Sequence, residues 1–278
     1  MVFGNMKAEA IEAPVMVEGR QRTICHQYAV QRHAQGKSRD TVWTELLLLR
    51  TALNWAVKNK LIARAPAVWI PSKGPARNVT ISEDEAQRLI EGCVMPHLRL
   101  FVVTALCTAA RRGAILELEW SRVDFGRGTI DFNRGEKRGI LDSGFQKGRT
   151  VTPMNALLRV ALEEAKAGAR TPYVIEWNGQ RVADVKTGFH AAVRRAGLEG
   201  RRISPHVLRH ATASWLADDN LDMRQIQRLL GHKSQRVTEQ TYASKSSQLY
   251  LSGATDAIGA RLKRVVGGER IELPTSCV

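Results

Sequence analysis

His206, Arg209, His232 and Tyr242, two imidazoles, a guanidinium and a phenol, stand in that order within residues 204–242, a stretch reading SPHVLRHATASWLADDNLDMRQIQRLLGHKSQRVTEQTY. His206 and Arg209 are three positions apart, a spacing that puts both on one face of a helix. His232 follows a Leu-Gly pair, and Tyr242 stands ten positions after it. A guanidinium can hold two phosphate oxygens in a planar fork, an imidazole can move a proton, and a phenol can attack phosphorus. Together the set suits nucleophilic attack on a phosphodiester. Taken singly, each residue has a plainer reading: a structural histidine, a solvated arginine, a core tyrosine with a hydrogen-bonded tip. The ordered pattern His-x-x-Arg, Leu-Gly-His, Thr-x-x-x-Tyr-Ala is what carries the inference.

These residues need elements to place them. Ser204-Pro205 predicts a helix start, with a hydroxyl cap and a proline at the first helical position. Asp218, Asp219 and Asn220 form a turn, and a second helix, Met223 to Leu230, stops at Gly231 in a left-handed cap. Upstream, the apolar stretch His97 to Ala110 predicts a buried helix that delivers Arg111.

The order His206-Val207-Leu208-Arg209-His210, Leu230-Gly231-His232, Tyr242-Ala243 resembles the second signature box of the tyrosine recombinases, the phage-type integrases. Their first box reads Thr-Gly-x-Arg-x-x-Glu before a leucine-rich helix ending near Trp, and Thr108 to Trp120 fits that spacing around Arg111. Two departures stand out: the turn glycine is Ala109 and the usual acid is Ala114. The resemblance spans roughly residues 22 to 262 and implies a site-specific DNA recombinase. Tyr242 would form a 3′-phosphotyrosine link, Arg111 and Arg209 would clamp the phosphate, and His206 would take the tyrosine's proton. His232 would bond the phosphate, and a hairpin lysine would protonate the departing 5′ oxygen. Lys147 is chosen for that role because it precedes the Arg149-Thr150-Val151 strand, with Lys137 as rival. Bond energy kept in the phosphotyrosine makes ATP and metal unnecessary, so no cofactor is expected. Two alternatives are a non-catalytic helix-turn-helix DNA-binding protein and relaxation of supercoils in the manner of a type IB topoisomerase.

Lys and Arg number 42 against 27 acids, a formal charge of +15 over 278 residues, which favours a polyanionic partner. The longest apolar run, Leu100 to Ala110, is too short for a bilayer span, and no signal peptide opens the chain. Four cysteines without metal spacing point to reduced thiols in a cytoplasmic protein, and the resemblance implies one that is bacterial or phage-encoded and nucleoid-associated when bound. No P-loop is present.

The expected fold is mainly α with a small antiparallel β-sheet (α+β), a helical core-binding domain and a recombinase catalytic domain forming a two-domain clamp. Residues 1–20 are expected to be a loose lead-in and 21–65 a shortened helical core-binding domain, with the stripe Val42, Leu46, Leu49, Leu53, Val57 turned inward. Residues 66–78 would be a linker, 79–266 the catalytic domain with a C-terminal helix, and 267–278 a tail. Lys37, Arg39, Lys58, Lys60 and Arg149 are the expected DNA contacts. The family pattern further implies double-stranded DNA as partner, a monomer in solution, a tetramer on synapsed DNA, accessory DNA-bending proteins, and no membrane.

Overall fold

The computed structural model describes residue 3 and residues 6–74, 79–133, 150–219 and 221–231. The chain divides into two compact units, Met1–Asn78 and Val79–Val278.

The first unit opens with a 3-10 turn, Ala8–Glu12, and a hairpin of β1 (Pro14–Val17) and β2 (Arg20–Thr23). This corrects the loose lead-in. Glu18 and Gly19 both take positive φ (45° and 72°), the two-residue turn whose twist matches antiparallel strands. Two helices follow, α1 (Ile24–Ala34) and α2 (Arg39–Lys58), the second capped by Ser38, whose side chain accepts from the Thr41 amide at 3.2 Å. Ile11, Cys25, Val42 and Leu46 form their core, with Leu49 and Leu53 packed against it, as the stripe predicts for four of its five members; Val57 is half-buried outside this cluster. Arg32 and Tyr28 both bond the Glu45 carboxylate and tie the helices together at the edge of that core.

Residues expected to begin a linker are bound to this unit instead. Glu12 accepts from Arg64 and from the Ala67 amide. Trp69 stacks on His26 with ring centroids 3.8 Å apart, Lys73 lies 5.2 Å from the Trp43 ring, and the Gly74 amide donates to Asp40 at 2.9 Å. Side chains 30 to 60 positions earlier hold the strap down, and no propensity rule for Pro and Gly could have shown that.

The second unit begins with α3 (Glu83–Glu91), opened by a reciprocal capping box between Ser82 and Glu85. Then come α4 (Pro96–Thr108), α5 (Arg112–Leu116) and a 3-10 turn at Trp120–Arg122. A three-stranded antiparallel sheet is built from β3 (Val123–Asp124), β4 (Thr129–Asp131) and β5 (Val151–Pro153), with Ile130 opposite Thr152. After it lie α6 (Ala156–Ala167), the hairpin β6 (Glu176–Trp177) and β7 (Gln180–Arg181), α7 (Lys186–Arg195), α8 (Pro205–Asp218) and α9 (Met223–Leu230).

Beyond its first turn, where Arg99 is exposed, helix α4 is almost wholly apolar and is accordingly buried, packed against α3, α5, α6 and α8. Phe101, Val102 and Ala105 from it meet Leu89, Leu158, Leu162, Phe189, Leu208 and Ala211 in one continuous core. The architecture is mainly helical with small antiparallel sheets, as the sequence predicts. Among the described residues no helix is long and apolar enough to cross a membrane.

Candidate active site

The end of α4 is where the site begins. Thr108 Oγ1 donates to the Thr104 carbonyl at 2.6 Å and accepts from the Ala110 amide at 3.2 Å, which knots the turn after the helix. Ala109 then adopts a left-handed conformation, φ 49° and ψ 22°, and Arg111 becomes the extended N-cap of α5. Helix α8 is laid against this corner by Thr212, whose hydroxyl donates to the Leu106 carbonyl at 2.9 Å.

One turn earlier on α8, Arg209 is 4% exposed. Its Nη1 donates to the Ala109 carbonyl at 2.7 Å and its Nη2 to the Leu230 carbonyl at 2.6 Å. The guanidinium therefore caps the C-terminal ends of α4 and α9 at once, and it takes two of its five N–H donors to do so. Gly231 (φ 58°) ends α9 in the left-handed cap expected of it. Ser204 starts α8 before Pro205, as expected, but its hydroxyl makes no cap bond to that helix.

Arg111 and Arg209, far apart in sequence, line one cavity of about 20 Å³, together with Ala110, Ala114, Phe132, Thr150, Leu229 and Leu230. That space accepts one water-sized group. Two permanent positive charges on a small cavity make an oxyanion the natural occupant. Phe132 and Thr150 close the end of the β4–β5 pair, the Phe132 amide donating to the Thr150 carbonyl at 3.1 Å. Sequence reading did not single out these two. Their position at the base of the lysine-bearing segment is the signal that points to them.

His206 sits exposed on the first turn of α8, on the side of Arg209. Its ring meets that of His210 edge-on, with centroids 4.4 Å apart and 79° between planes. His210 is pushed down to about 4, by burial first and then by the nearby His206 and Arg209 charges, so it is neutral at pH 7. Among the expected site residues the structure thus brings Arg111 and Arg209 together on one cavity, with His206 one helical turn from Arg209 on α8. His232, Tyr242, Lys147, its rival Lys137, and Arg149 lie outside the described residues.

The four remaining expected DNA contacts do not form one patch. Lys37 and Arg39 are exposed at the start of α2, and Lys58 and Lys60 at its end. Twenty helical residues separate the pairs by about 30 Å. Arg39 also bonds the Ser72 hydroxyl. Among the described residues no three His, Cys, Asp or Glu side chains gather in a way that could hold a metal ion.

A family model described as "Phage integrase family" matches residues 80–248, which takes in both arginine boxes. The chain belongs to the phage integrase family. It is a tyrosine recombinase, and neither the helix-turn-helix nor the topoisomerase alternative is favoured. Among its relatives, this integrase is similar to the tyrosine recombinase XerC of Pseudomonas fluorescens, 29% identical over 85% of this chain and 80% of that protein. It is also similar to the integrase of Salmonella phage P22, 28% identical over 69% of this chain and 50% of that protein. Its fold matches the Tn1549 transposon integrase solved with transposon right end DNA, with TM-score 0.67, 17% identity, and 82% and 84% of the two chains covered. The XerA recombinase aligns with TM-score 0.52 at 22% identity, over 82% of each chain.

Proposed function

We propose that this integrase cuts and rejoins duplex DNA at a specific site through a covalent 3′-phosphotyrosine on Tyr242, needing neither ATP nor metal. The observation that carries the reading is the pairing of Arg111 with Arg209 on one cavity, where two guanidiniums can neutralise the non-bridging oxygens of a scissile phosphate. His206, exposed beside that cavity's buried arginine, takes the phenolic proton. Attack by the phenolate on phosphorus forms the Tyr–O–P bond and breaks the bond to the 5′ oxygen, which leaves with a proton from Lys147. His232 donates to the phosphate. Reversal by a different 5′-hydroxyl restores the diester, so each step exchanges one phosphoester for another of similar energy and no external energy source is required.

The partner is double-stranded DNA, with the two units acting as a two-domain clamp on the duplex. Joining ends from two duplexes requires four active sites, so the working assembly is a tetramer on synapsed DNA formed from monomers in solution. Accessory DNA-bending proteins fit this scheme. The deciding experiment is trapping on a nicked suicide substrate that carries the cognate site, followed by mapping of the modified peptide. A covalent complex through Tyr242, abolished in Tyr242→Phe, is the expected result. Linkage through Tyr250, the nearest other tyrosine eight residues further on, or undiminished cleavage by Tyr242→Phe, would overturn the nucleophile assignment.

A further inference from the structure

The short helix α5 carries Arg111 at its N-terminal cap, and its other end is held in an unusual way. At its C-terminus the last carbonyls of a helix have no intrahelical donor. Here Arg181, on β7, donates from Nε to the Leu116 carbonyl at 3.1 Å. Arg122, from the 3-10 turn that follows, donates from Nη2 to the Glu117 carbonyl and from Nη1 to the Asn133 carbonyl at 2.9 Å. Asn133 is itself fixed: its backbone amide and its side-chain Nδ2 both donate to Asp131 Oδ1 at 2.8 Å, directly after β4. Arg181 is steadied in turn by the Tyr173 ring, 4.8 Å from its guanidinium carbon.

We propose that Arg122 and Arg181 are positioning residues that set Arg111 against the scissile phosphate, an inference that rests on the recombinase reading above. The geometry is a lever. Helix α5 is five residues long, about 7.5 Å, so a displacement at Leu116 or Glu117 reaches Arg111 with no intervening flexible segment. Arg122 also ties the same helix end to the β4 exit, and Phe132 beside that exit is a wall of the cavity that Arg111 lines. One planar fork thus links the arginine's helix to the segment that supplies the Phe132 wall. Within α5, Ala114 faces the cavity with a methyl group only and supplies no polar anchor of its own. Two cations at a helix C-terminus are favourable electrostatically as well, since that end carries partial negative charge.

The test separates positioning from mere support of the fold. Arg122→Ala, Arg122→Lys and Arg181→Ala are compared with the wild-type full chain in single-turnover cleavage at saturating DNA, with DNA affinity and thermal unfolding measured alongside. Each variant is run on an ordinary phosphodiester and on a substrate with a methylphosphonate at the scissile position, which lacks the charge Arg111 neutralises. A misplacement on the order of 1 Å costs about 10²-fold in rate, so Arg122→Ala is expected to slow phosphodiester cleavage by up to about that factor. Methylphosphonate cleavage should stay close to the wild-type rate, and site affinity should be little changed. Arg122→Lys stays slow, because one ammonium cannot span two carbonyls. Equal slowing on both substrates, or none on either, overturns the inference. Should Arg122→Ala fail to fold, the exposed Arg181→Ala decides by the same comparison. A wild-type chain that forms no covalent complex with either substrate would instead sink the recombinase reading, and this inference with it.

Discussion

The Arg209 guanidinium donates to the carbonyl of Ala109, 100 residues earlier in the chain, at 2.7 Å, while its other terminal nitrogen holds Leu230. The residue assigned to clamp phosphate is therefore also the clasp between the two signature boxes. Substituting it strands two buried carbonyls, each costing about 1–3 kcal/mol. Arg209→Lys is expected to lose about 2–6 kcal/mol in urea unfolding together with cleavage. Arg111 is only half-buried, so Arg111→Lys should lose about 10²–10³ in rate at a much smaller stability cost. An Arg209→Lys variant as stable as wild type would show that the two carbonyls find other donors.

Ala109 occupies a conformation that suits glycine, at φ 49°, yet its methyl is fully buried against Ala213, Ala217, Ile226 and Leu230. Left-handed backbone costs an L-residue roughly 1–2 kcal/mol. Glycine would relieve that, but would forfeit about 0.8 kcal/mol of methyl burial and add about 0.4–1 kcal/mol of unfolded-chain entropy. Ala109→Gly is thus expected to lie within about 1 kcal/mol of wild type by urea unfolding. A gain well above that would mean the methyl contributes nothing to the contact between α8 and α9.

Much of this was readable from the sequence because local rules and tertiary demands agreed. The all-apolar run that became α4, the box at Ser82 and Glu85, and the glycine stop at Gly231 each have a single physical solution. The pairing of Arg111 with Arg209 was legible only through motif order, since nothing local links residues so distant. What escaped depended mostly on partners from afar: the strap over residues 64–74, and the Arg181 guanidinium on α5; Arg122 reaches back only five residues to Glu117, but a side-chain bond to a helix-end carbonyl leaves no mark in periodicity. Two hairpins did carry local signals that were passed over. Glu18-Gly19 and Asn178-Gly179 both supply consecutive positive φ angles between short strands.

His210 gives a pH dependence whose sign follows from its depressed value of about 4. Above pH 6.5 the ring is neutral in both folded and unfolded chains. Between 6.5 and about 4 the unfolded chain takes up a proton that folded His210 refuses, so stability falls as pH falls, and the loss is complete below about 4. The ring is half-buried, so solvent damps the effect. His97 and His26, both lowered chiefly by burial, act in the same direction. The urea midpoint should decline from pH 7 to pH 5, and His210→Gln should flatten part of that decline. Parallel curves for the two proteins would show that His210 titrates normally in the fold.

The charge of +15 makes DNA affinity a steep function of salt, because each phosphate neutralised releases condensed counterions. The slope of log affinity against log salt is about −0.9 per phosphate contact on duplex DNA. Lys37 and Arg39 at one end of α2, and Lys58 and Lys60 at the other, are about 30 Å apart, roughly the rise of nine base pairs. Replacing either pair by Gln should therefore make the slope shallower by about 1.8, and replacing all four by about twice that. Each pair should also trim a different edge of the nuclease footprint. A fragment beginning at Val79, where the second unit starts, should match the fourfold variant in slope and protect a shorter stretch. If the fourfold variant keeps the wild-type slope and footprint, then the helical unit holds DNA through other side chains or not at all. In that case the fragment distinguishes the two, since only the second possibility leaves its protection equal to that of the full chain.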